Sequence, residues 1–407
     1  MLSRKLLKTF HIKTYGCQAN IADSIKLSEE LANIGLFEVD SLEEADLFVI
    51  NSCSVRQKSE DKVYGWGRIL GKYTVKPYIV LTGCIVGSAR GKRRRFSFKE
   101  LERKTPWVNM YVEPNDLLSV PDRLLEKGFT TKESYENRKN YNTNEIGEKS
   151  FCKLSDFSVK KENIENALVN ISYGCDNFCT YCVVPYARGE EVSRSQGDIL
   201  AEVKEAVKKG AKKITLCGQN VNSWGLNREA KFKLRTGGVL PPELGDKLPF
   251  TKLLHDVNQI EGIKEIEFIS SNPFDFTQDL IDALKLEKIS NYLHIAVQSG
   301  NNDILQKMNR RHTVEEFKSL INKIRKVRPD MEFGTDVIVG FPSETRDQFM
   351  DTADLFRKVK FSVAFISMYS QRKGTAAALL KDDVSRKEKR WRHNYLLSLW
   401  REIKNEK

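Results

Sequence analysis

No stretch of this 407-residue chain stays apolar for the roughly 20 residues that a membrane span requires, so a membrane protein is not expected. The N-terminus, Met1-Leu2-Ser3-Arg4-Lys5-Leu6-Leu7-Lys8, is basic but has no apolar core long enough for a secretory signal. The expected compartment is therefore cytoplasmic, where eight cysteines point to metal or redox chemistry rather than to disulfides. Histidine is scarce: the five residues are scattered and form no metal-binding pattern. No internal repeat is present beyond an alternation of strands and helices.

What is present is an ordinary globular composition, 40% hydrophobic and 30% charged, in a chain long enough for two or three domains. Lys and Arg number 67 against 55 Asp and Glu, a formal net charge of +12. Such an excess attracts polyanions through its long-range field and counterion release, though alone it does not establish RNA binding.

Residues 1–130 read as an α/β domain. A short strand near Phe10–Tyr15 precedes Cys17, and an amphipathic helix follows over about Ile21–Ile34. Leu47-Phe48-Val49-Ile50 and Tyr78-Ile79-Val80-Leu81 are short apolar runs of the kind buried parallel strands carry, with Cys53 and Cys84 just beyond them. Each cysteine then lies past the carboxyl end of a strand, along the edge where open parallel sheets bind ligands. Three thiols remote in sequence can thus meet at one point and hold a cluster without a local Cys-x-x-Cys. The alternative for each is a small core residue, since free cysteine is commonly buried.

A polar segment over residues 131–160, rich in Asn, Lys and Glu as far as Lys149, reads as a linker. Over residues 161–375 a second α/β series follows. Its strands are expected near Leu168–Ser172, Lys213–Cys217, Glu265–Ser271, Tyr292–Gln298, Phe333–Val339 and Phe361–Tyr369. Helices are expected over Asp198–Lys208, Thr251–Gln259, Val314–Val327 and Thr345–Lys358. Residues 227–247, with Gly237-Gly238 and Pro241-Pro242, interrupt the alternation and read as a surface insertion. Residues 376–407 read as one basic amphipathic helix.

The most informative run is Gly174-Cys175-Asp176-Asn177-Phe178-Cys179-Thr180-Tyr181-Cys182. Three thiolates this close can hold three irons of a 4Fe–4S cubane and leave the fourth iron open to a substrate. Zinc is the rival, but a structural zinc needs four ligands, and no histidine lies within about 70 residues of the loop.

The Cys-x-x-x-Cys-x-x-Cys spacing, with Tyr181 before the last thiol, resembles the signature of the radical S-adenosylmethionine (SAM) superfamily. The continuation Val183-Val184-Pro185-Tyr186-Ala187-Arg188-Gly189-Glu190-Glu191-Val192-Ser193-Arg194 narrows the resemblance to methylthiotransferases. Tyr15-Gly16-Cys17-Gln18-Ala19-Asn20, Asn51-Ser52-Cys53-Ser54-Val55-Arg56 and Gly218-Gln219-Asn220-Val221-Asn222-Ser223 resemble the MiaB type. Gln298-Ser299-Gly300 and Asp336-Val337-Ile338-Val339-Gly340-Phe341-Pro342 also fit, so the likeness runs from about residue 10 to about 375.

The resemblance implies an N-terminal parallel-sheet α/β domain followed by a partial (β/α)6 barrel, with the cluster loop at the carboxyl-end mouth. It implies two [4Fe–4S] clusters as cofactors, one on Cys175, Cys179 and Cys182 and an auxiliary one on Cys17, Cys53 and Cys84. SAM is the further cofactor: its amino and carboxylate groups chelate the open iron, and reductive cleavage releases a 5′-deoxyadenosyl radical. Tyr181, Gly218, Gln219, Asn220 and Gln298 are the implied SAM contacts, with core packing the alternative for Tyr181. Gly340 is read either against the adenine or as a plain strand-ending turn. The implied reaction is methylthiolation of carbon 2 of N6-isopentenyladenosine beside the anticodon of tRNA. There the auxiliary cluster carries the transferred sulfur, a first SAM methylates it and a second supplies the radical. The implied partners are tRNA, a reductant protein and a sulfur donor; a monomer is expected.

Cys152 and Cys217 match no ligand position and read as packing residues. Lys92-Arg93-Arg94-Arg95, near Phe96 and Phe98, reads as phosphate-binding charge or as a solvated loop, and Arg188 and Arg194 as residues placed to meet a substrate phosphate. Three departures from the MiaB pattern stand out. No terminal TRAM barrel is recognisable, Asn272 stands where the family has His, and Gln371-Arg372-Lys373-Gly374 lacks the usual prolines. The competing functions are methylthiolation of threonylcarbamoyladenosine in tRNA, modification of a ribosomal aspartate, and a non-catalytic iron–sulfur RNA-binding protein.

Overall fold

The computed structural model describes residues 6–130, 165–238, 244–245 and 247–405. The linker assigned to residues 131–160, and Cys152 within it, lie outside the described residues. Two compact units emerge: Met1–Asn163 with Val183–Glu190, and Ile164–Cys182 with Glu191–Lys407.

The first unit is a parallel five-stranded sheet. Its strands β1 (Thr9–Thr14), β2 (Phe37–Glu38), β3 (Leu47–Ser52), β4 (Tyr78–Gly83) and β5 (Met110–Tyr111) lie in the order β2-β1-β3-β4-β5. Every residue of the central β3 is buried. Leu47 and Val49 pack with Leu27 and Leu31 of helix α1 (Gln18–Asn33), whereas Phe48 and Ile50 pack with Val63 and Leu70 of α2 (Gln57–Leu70). Burial on both faces explains why the run is unbroken rather than alternating, and each such side chain contributes about 1.5–3 kcal/mol.

Gly83 ends β4 at φ +86°, and a Cβ there would stand 2.3 Å from the Ser52 carbonyl oxygen. That left-handed turn needs glycine, and it feeds β4 directly into α3 (Cys84–Arg90), whose first residue is a thiol. Helices α4 (Phe98–Lys104) and α5 (Val120–Glu126) complete the main body of the unit. The short α6 (Val184–Ala187), contributed from much later in the chain, packs on α3. The approach is close: a Cβ on Gly87 would fall 1.8 Å from the Ala187 carbonyl oxygen.

The second unit carries β6 (Asn166–Asn170), β7 (Ser172–Tyr173), β8 (Val192–Ser193), β9 (Lys213–Cys217) and β10 (Glu265–Phe268). The later strands are β11 (Tyr292–His294), β12 (Glu332–Val339) and β13 (Val363–Met368). Parallel pairing gives β6-β9-β10 and β11-β12-β13, and parallel bridges Ile266–Ile289 and Ser271–Ile295 join the two sets. The strands β6, β9, β10, β11, β12 and β13 are thus neighbours in chain order, as a partial barrel requires. Antiparallel pairing of β7 with β8 pinches together the two ends of the segment that carries the cysteine loop and α6.

The intervening helices are α7 (Gln196–Lys208), α8 (Arg228–Thr236), α9 (Pro249–Asn258), α10 (Gln278–Ala283), α11 (Asn302–Lys307), α12 (Val314–Val327) and α13 (Arg346–Val359). Capping boxes, Thr313 with Glu316 and Thr345 with Gln348, start α12 and α13. The terminal α14 (Arg386–Asn405) inserts Leu396 and Ile403 into the barrel core, and Arg392 forms a buried pair with Glu344 at 2.7 Å. Within the insertion read over residues 227–247, residues 228–236 form the helix α8, and two of its cations are sequestered in ion pairs described below.

Candidate iron–sulfur and SAM sites

In the first unit the strand ends deliver three thiols to one region. Cys17 is the exposed N-cap of α1, Cys53 follows β3, and Cys84 opens α3; the last two are buried. Burial pushes the Cys53 thiol up to about 12, with repulsion from Cys84 and then Cys17 adding to it. Burial likewise raises Cys84, while the Arg188 guanidinium pulls it back. Geometry ties the segments together: Asn20 links Cys17 to the Ser52 carbonyl beside Cys53, and Ser52 Oγ accepts from the Ile85 N–H beside Cys84.

A buried polar web underlies them. The Asn20 side chain accepts from Cys17 Sγ at 3.5 Å and donates to Asn51 Oδ1 at 3.0 Å and to the Ser52 carbonyl at 3.2 Å. Asn51 Nδ2 donates to the Asn20 carbonyl and to Ser24 Oγ, both at 2.9 Å. Among the described residues no group of three His, Cys, Asp or Glu side chains is gathered as ligands of a single ion. A cubane differs in that each thiolate holds its own iron, so the sulfurs stand farther apart than ligands sharing one ion. Three thiols with no carboxylate or imidazole among them suit iron–sulfur chemistry.

In the second unit the loop after β7 presents Cys175, which is buried, and Cys179 and Cys182, which are half-buried. Gly174 and Phe178 adopt positive φ, +71° and +48°. The loop is strapped from several directions. Thr180 N–H donates to the Met308 carbonyl at 3.0 Å, Asn309 Nδ2 to the Phe178 carbonyl at 3.0 Å, and Cys182 N–H to the Cys179 carbonyl at 2.9 Å. Burial, then the Cys182 charge, holds the Cys175 thiol well above its ordinary range. Arg310 Nη1 lies 3.5 Å from Cys179 Sγ.

In the same unit, polar atoms are buried without a hydrogen-bond partner among the described residues: Ser172 Oγ, Ser271 Oγ, Glu191 Oε2 and Arg310 Nε. Hydroxyls, a carboxylate and a guanidinium in one unit suit a zwitterionic ligand such as the methionyl end of SAM. A Cβ on Gly218 would lie 2.6 Å from Ser172 Oγ, so only glycine fits against that hydroxyl. Gln219 is half-buried. Gln298, buried at φ +73°, bridges to Val337, a strained position for a residue with a side chain. Tyr181, partly buried, packs against an apolar cluster of Ile304, Met308, Phe341 and Tyr369.

Asn220, expected among the SAM contacts, has its side-chain amide engaged within the protein. Its Nδ2 donates to Ser223 Oγ and, at 3.1 Å, to Asp275 Oδ2, and its Oδ1 accepts from Asn272. Both ends are engaged within the protein, so Asn220 braces Asp275 and Asn272. Gly340, at φ +69°, is a strand-ending turn whose N–H donates to Glu344.

The sequence reading missed α8. Lys231 pairs with Glu191 at 2.6 Å, and Arg235 pairs with Asp275 through two bonds of 2.7 Å while its Nη2 reaches Asn177 Oδ1 at 3.0 Å. The charge-rich string of this helix carries no signal of that destination. Three phosphate assignments are also corrected. Arg188 is 3% exposed and bonded to Asp23 and Asn20. Arg194 is bonded to the Asn170 carbonyl and to Glu202, both at 2.6 Å. Arg95 is buried against Ser54 and Glu60, and Lys92 and Arg94 of its run remain exposed. Cys217 is fully buried, its Sγ directed at the Thr215 carbonyl.

Residues 169–356 match the radical SAM superfamily, and residues 9–111 match the uncharacterized protein family UPF0004. A tRNA-2-methylthio-N(6)-dimethylallyladenosine synthase of Caldicellulosiruptor saccharolyticus is 38% identical over 400 residues, 97% of this chain and 78% of that protein. Proteins of the same name from Thermoanaerobacter sp. strain X514 and Clostridium botulinum are each 37% identical over 98% of this chain, and over 79% and 82% of their own lengths. Among solved structures, the radical SAM methyltransferase TsrM from Kitasatospora setae aligns at TM-score 0.59 with 11% identity, over 91% of this chain and 75% of TsrM. The cobalamin-dependent SAM radical enzyme OxsB aligns at TM-score 0.52 with 12% identity, over 97% and 56%. At such identities these two speak for the fold alone.

Proposed function

Because this chain belongs to the MiaB-type radical SAM methylthiotransferases, we propose that it converts N6-isopentenyladenosine in tRNA to its 2-methylthio derivative. The observation that carries the reading is the pair of three-thiol sets, one per unit, in a chain that aligns along nearly its whole length with synthases of that name. Cys175, Cys179 and Cys182 would hold the SAM-cleaving cluster, and Cys17, Cys53 and Cys84 the auxiliary one. When bound, the first supplies the electron that splits SAM into methionine and a 5′-deoxyadenosyl radical, and the second supplies the sulfur that is transferred.

The protein's own part is positioning. Asn309 and Arg235 hold the loop around Asn177 and Phe178, and Arg310 places a buried cation beside Cys179. Ser172, Ser271 and Glu191 offer unengaged oxygens to a polar ligand, Gly218 stands against Ser172, and Gln219 and Gln298 are the further proposed SAM contacts. Tyr181 closes the apolar side. The chain would act on tRNA with a reductant protein and a sulfur donor, in the reducing cytoplasm where its thiols stay reduced. No described helix is long and apolar enough to cross a membrane.

The test is nucleoside mass spectrometry after anaerobic incubation of the iron-loaded protein with SAM, reductant and tRNA bearing isopentenyladenosine. Formation of the 2-methylthio nucleoside supports the proposal. Failure of a preparation that still cleaves SAM refutes this substrate.

A further inference from the structure

We propose that Arg188 and Asp23 form a buried charge pair that sets the reduction potential of the cluster on Cys17, Cys53 and Cys84, with Arg188 as its positioning cation. The inference rests on the reading of those three thiols as cluster ligands.

Arg188 lies six residues after Cys182, yet it is packed in the N-terminal unit, just beyond α6. Its N–H donates to the Val184 carbonyl at 2.8 Å and its own carbonyl accepts from Asn115 Nδ2 at 3.1 Å, so the backbone is fixed at both ends. Nη2 donates to Asp23 Oδ2 at 2.8 Å and to Asn20 Oδ1 at 3.2 Å, and the same Asn20 oxygen accepts from Cys17 Sγ. The two charged side chains are 2% and 6% exposed. The guanidinium also stands close enough to Cys84 and Cys17 to favour negative charge on both. Burial opposes the arginine's charge, and Asp23 at 2.8 Å is the counter-charge that offsets it.

A buried ion pair is weak evidence for stability, because desolvation offsets most of the attraction. This one has an electrostatic use. Three thiolates outweigh the positive charge of an oxidised cubane core, and reduction adds another negative charge. Net charge and hydrogen bonds to the sulfurs are what set such potentials. The guanidinium favours the reduced state and the carboxylate opposes it. The pair therefore acts as an oriented dipole with its positive end towards Cys84 and Cys17.

Opposite signs separate this role from a structural brace. In full-length protein with Cys175, Cys179 and Cys182 replaced by Ala, the remaining cluster is titrated anaerobically by EPR. Asp23→Asn, nearly isosteric, is expected to raise the midpoint potential. Arg188→Met, which leaves the carboxylate unopposed, is expected to lower it, and Arg188→Lys to fall between Arg and Met. Unmoved midpoints at full iron content would overturn the proposal, as would shifts of one sign or equal loss of iron in the Asp23 and Arg188 variants. If Arg188→Met does not fold, the sign of the Asp23→Asn shift alone decides. A parent that holds no cluster would instead overturn the ligand assignment, and the inference with it.

Discussion

Replacing Arg235 by Met tests whether α8 is part of the SAM-binding unit's machinery or an appendage. The guanidinium is 7% exposed and its partner Asp275 fully buried, with two bonds of 2.7 Å between them and a third of 3.0 Å to Asn177 in the cysteine loop. Removing one member of such a pair leaves a carboxylate buried without its counter-charge, at a cost of about 3–5 kcal/mol. An exposed pair would cost about 0–1 kcal/mol. For a slope of roughly 3 kcal/mol per molar urea, the larger figure lowers the unfolding midpoint by about 1–1.7 M. A chain of two compact units does not meet the two-state condition of a small single domain, so the assay is hydrogen exchange of the β6 and β9 peptides across a urea series, on apoprotein. Asp275→Asn in the Arg235→Met background removes the unopposed charge and is expected to restore most of the loss. A cost below about 1 kcal/mol, or no recovery in the double variant, refutes the buried-pair reasoning.

Three further outcomes follow from the same geometry. Burial, reinforced by Arg310, pushes His312 down to about 3, so it stays neutral in the folded state while the unfolded chain takes up its proton near the ordinary value of 6.5. Stability from this site is thus full above that value and falls as pH drops from about 6.5 towards 3; His312→Gln should make urea stability less acid-sensitive by up to ~1.4 kcal/mol per pH unit, and an unchanged pH slope rejects this. Lys92→Ala with Arg94→Ala should weaken tRNA binding and flatten its salt dependence by about 0.7–0.9 for each phosphate no longer neutralised, whereas Arg95→Met should change stability but not the salt slope. Gln298→Gly relieves a positive φ but loosens the unfolded chain, two effects of about 1 kcal/mol that nearly cancel; stability should hold while SAM cleavage falls, and preserved cleavage would remove Gln298 from the SAM contacts.

The strands were legible because their burial is written locally. Leu47–Ile50 is apolar on both faces since both faces are covered, and Cys17, Cys53 and Cys84 follow strand ends that a parallel sheet aligns along one edge. The destinations of the charged side chains were not. Arg188 meets Asp23 across 165 positions of sequence, and nothing in Ala187-Arg188-Gly189 distinguishes a buried guanidinium from a solvated one. The same holds for Arg95 with Glu60 and for Lys231 and Arg235, whose helix looks like solvent-facing charge until its partners Glu191 and Asp275 are known. Apolar periodicity reports a face, whereas ion pairing depends on a partner that local sequence does not name.

Gly87 turns a single hydrogen atom into a spacer. With the Ala187 carbonyl oxygen 1.8 Å from where a methyl carbon would be, α3 and α6 meet backbone to backbone, with no side chain as cushion. Every increment of size at that one position is therefore converted into distance between the helix that begins with Cys84 and the segment that delivers Arg188. An Ala, Ser, Thr series there would act as a mechanical dial on the surroundings of one thiol, with no thiol and no arginine substituted.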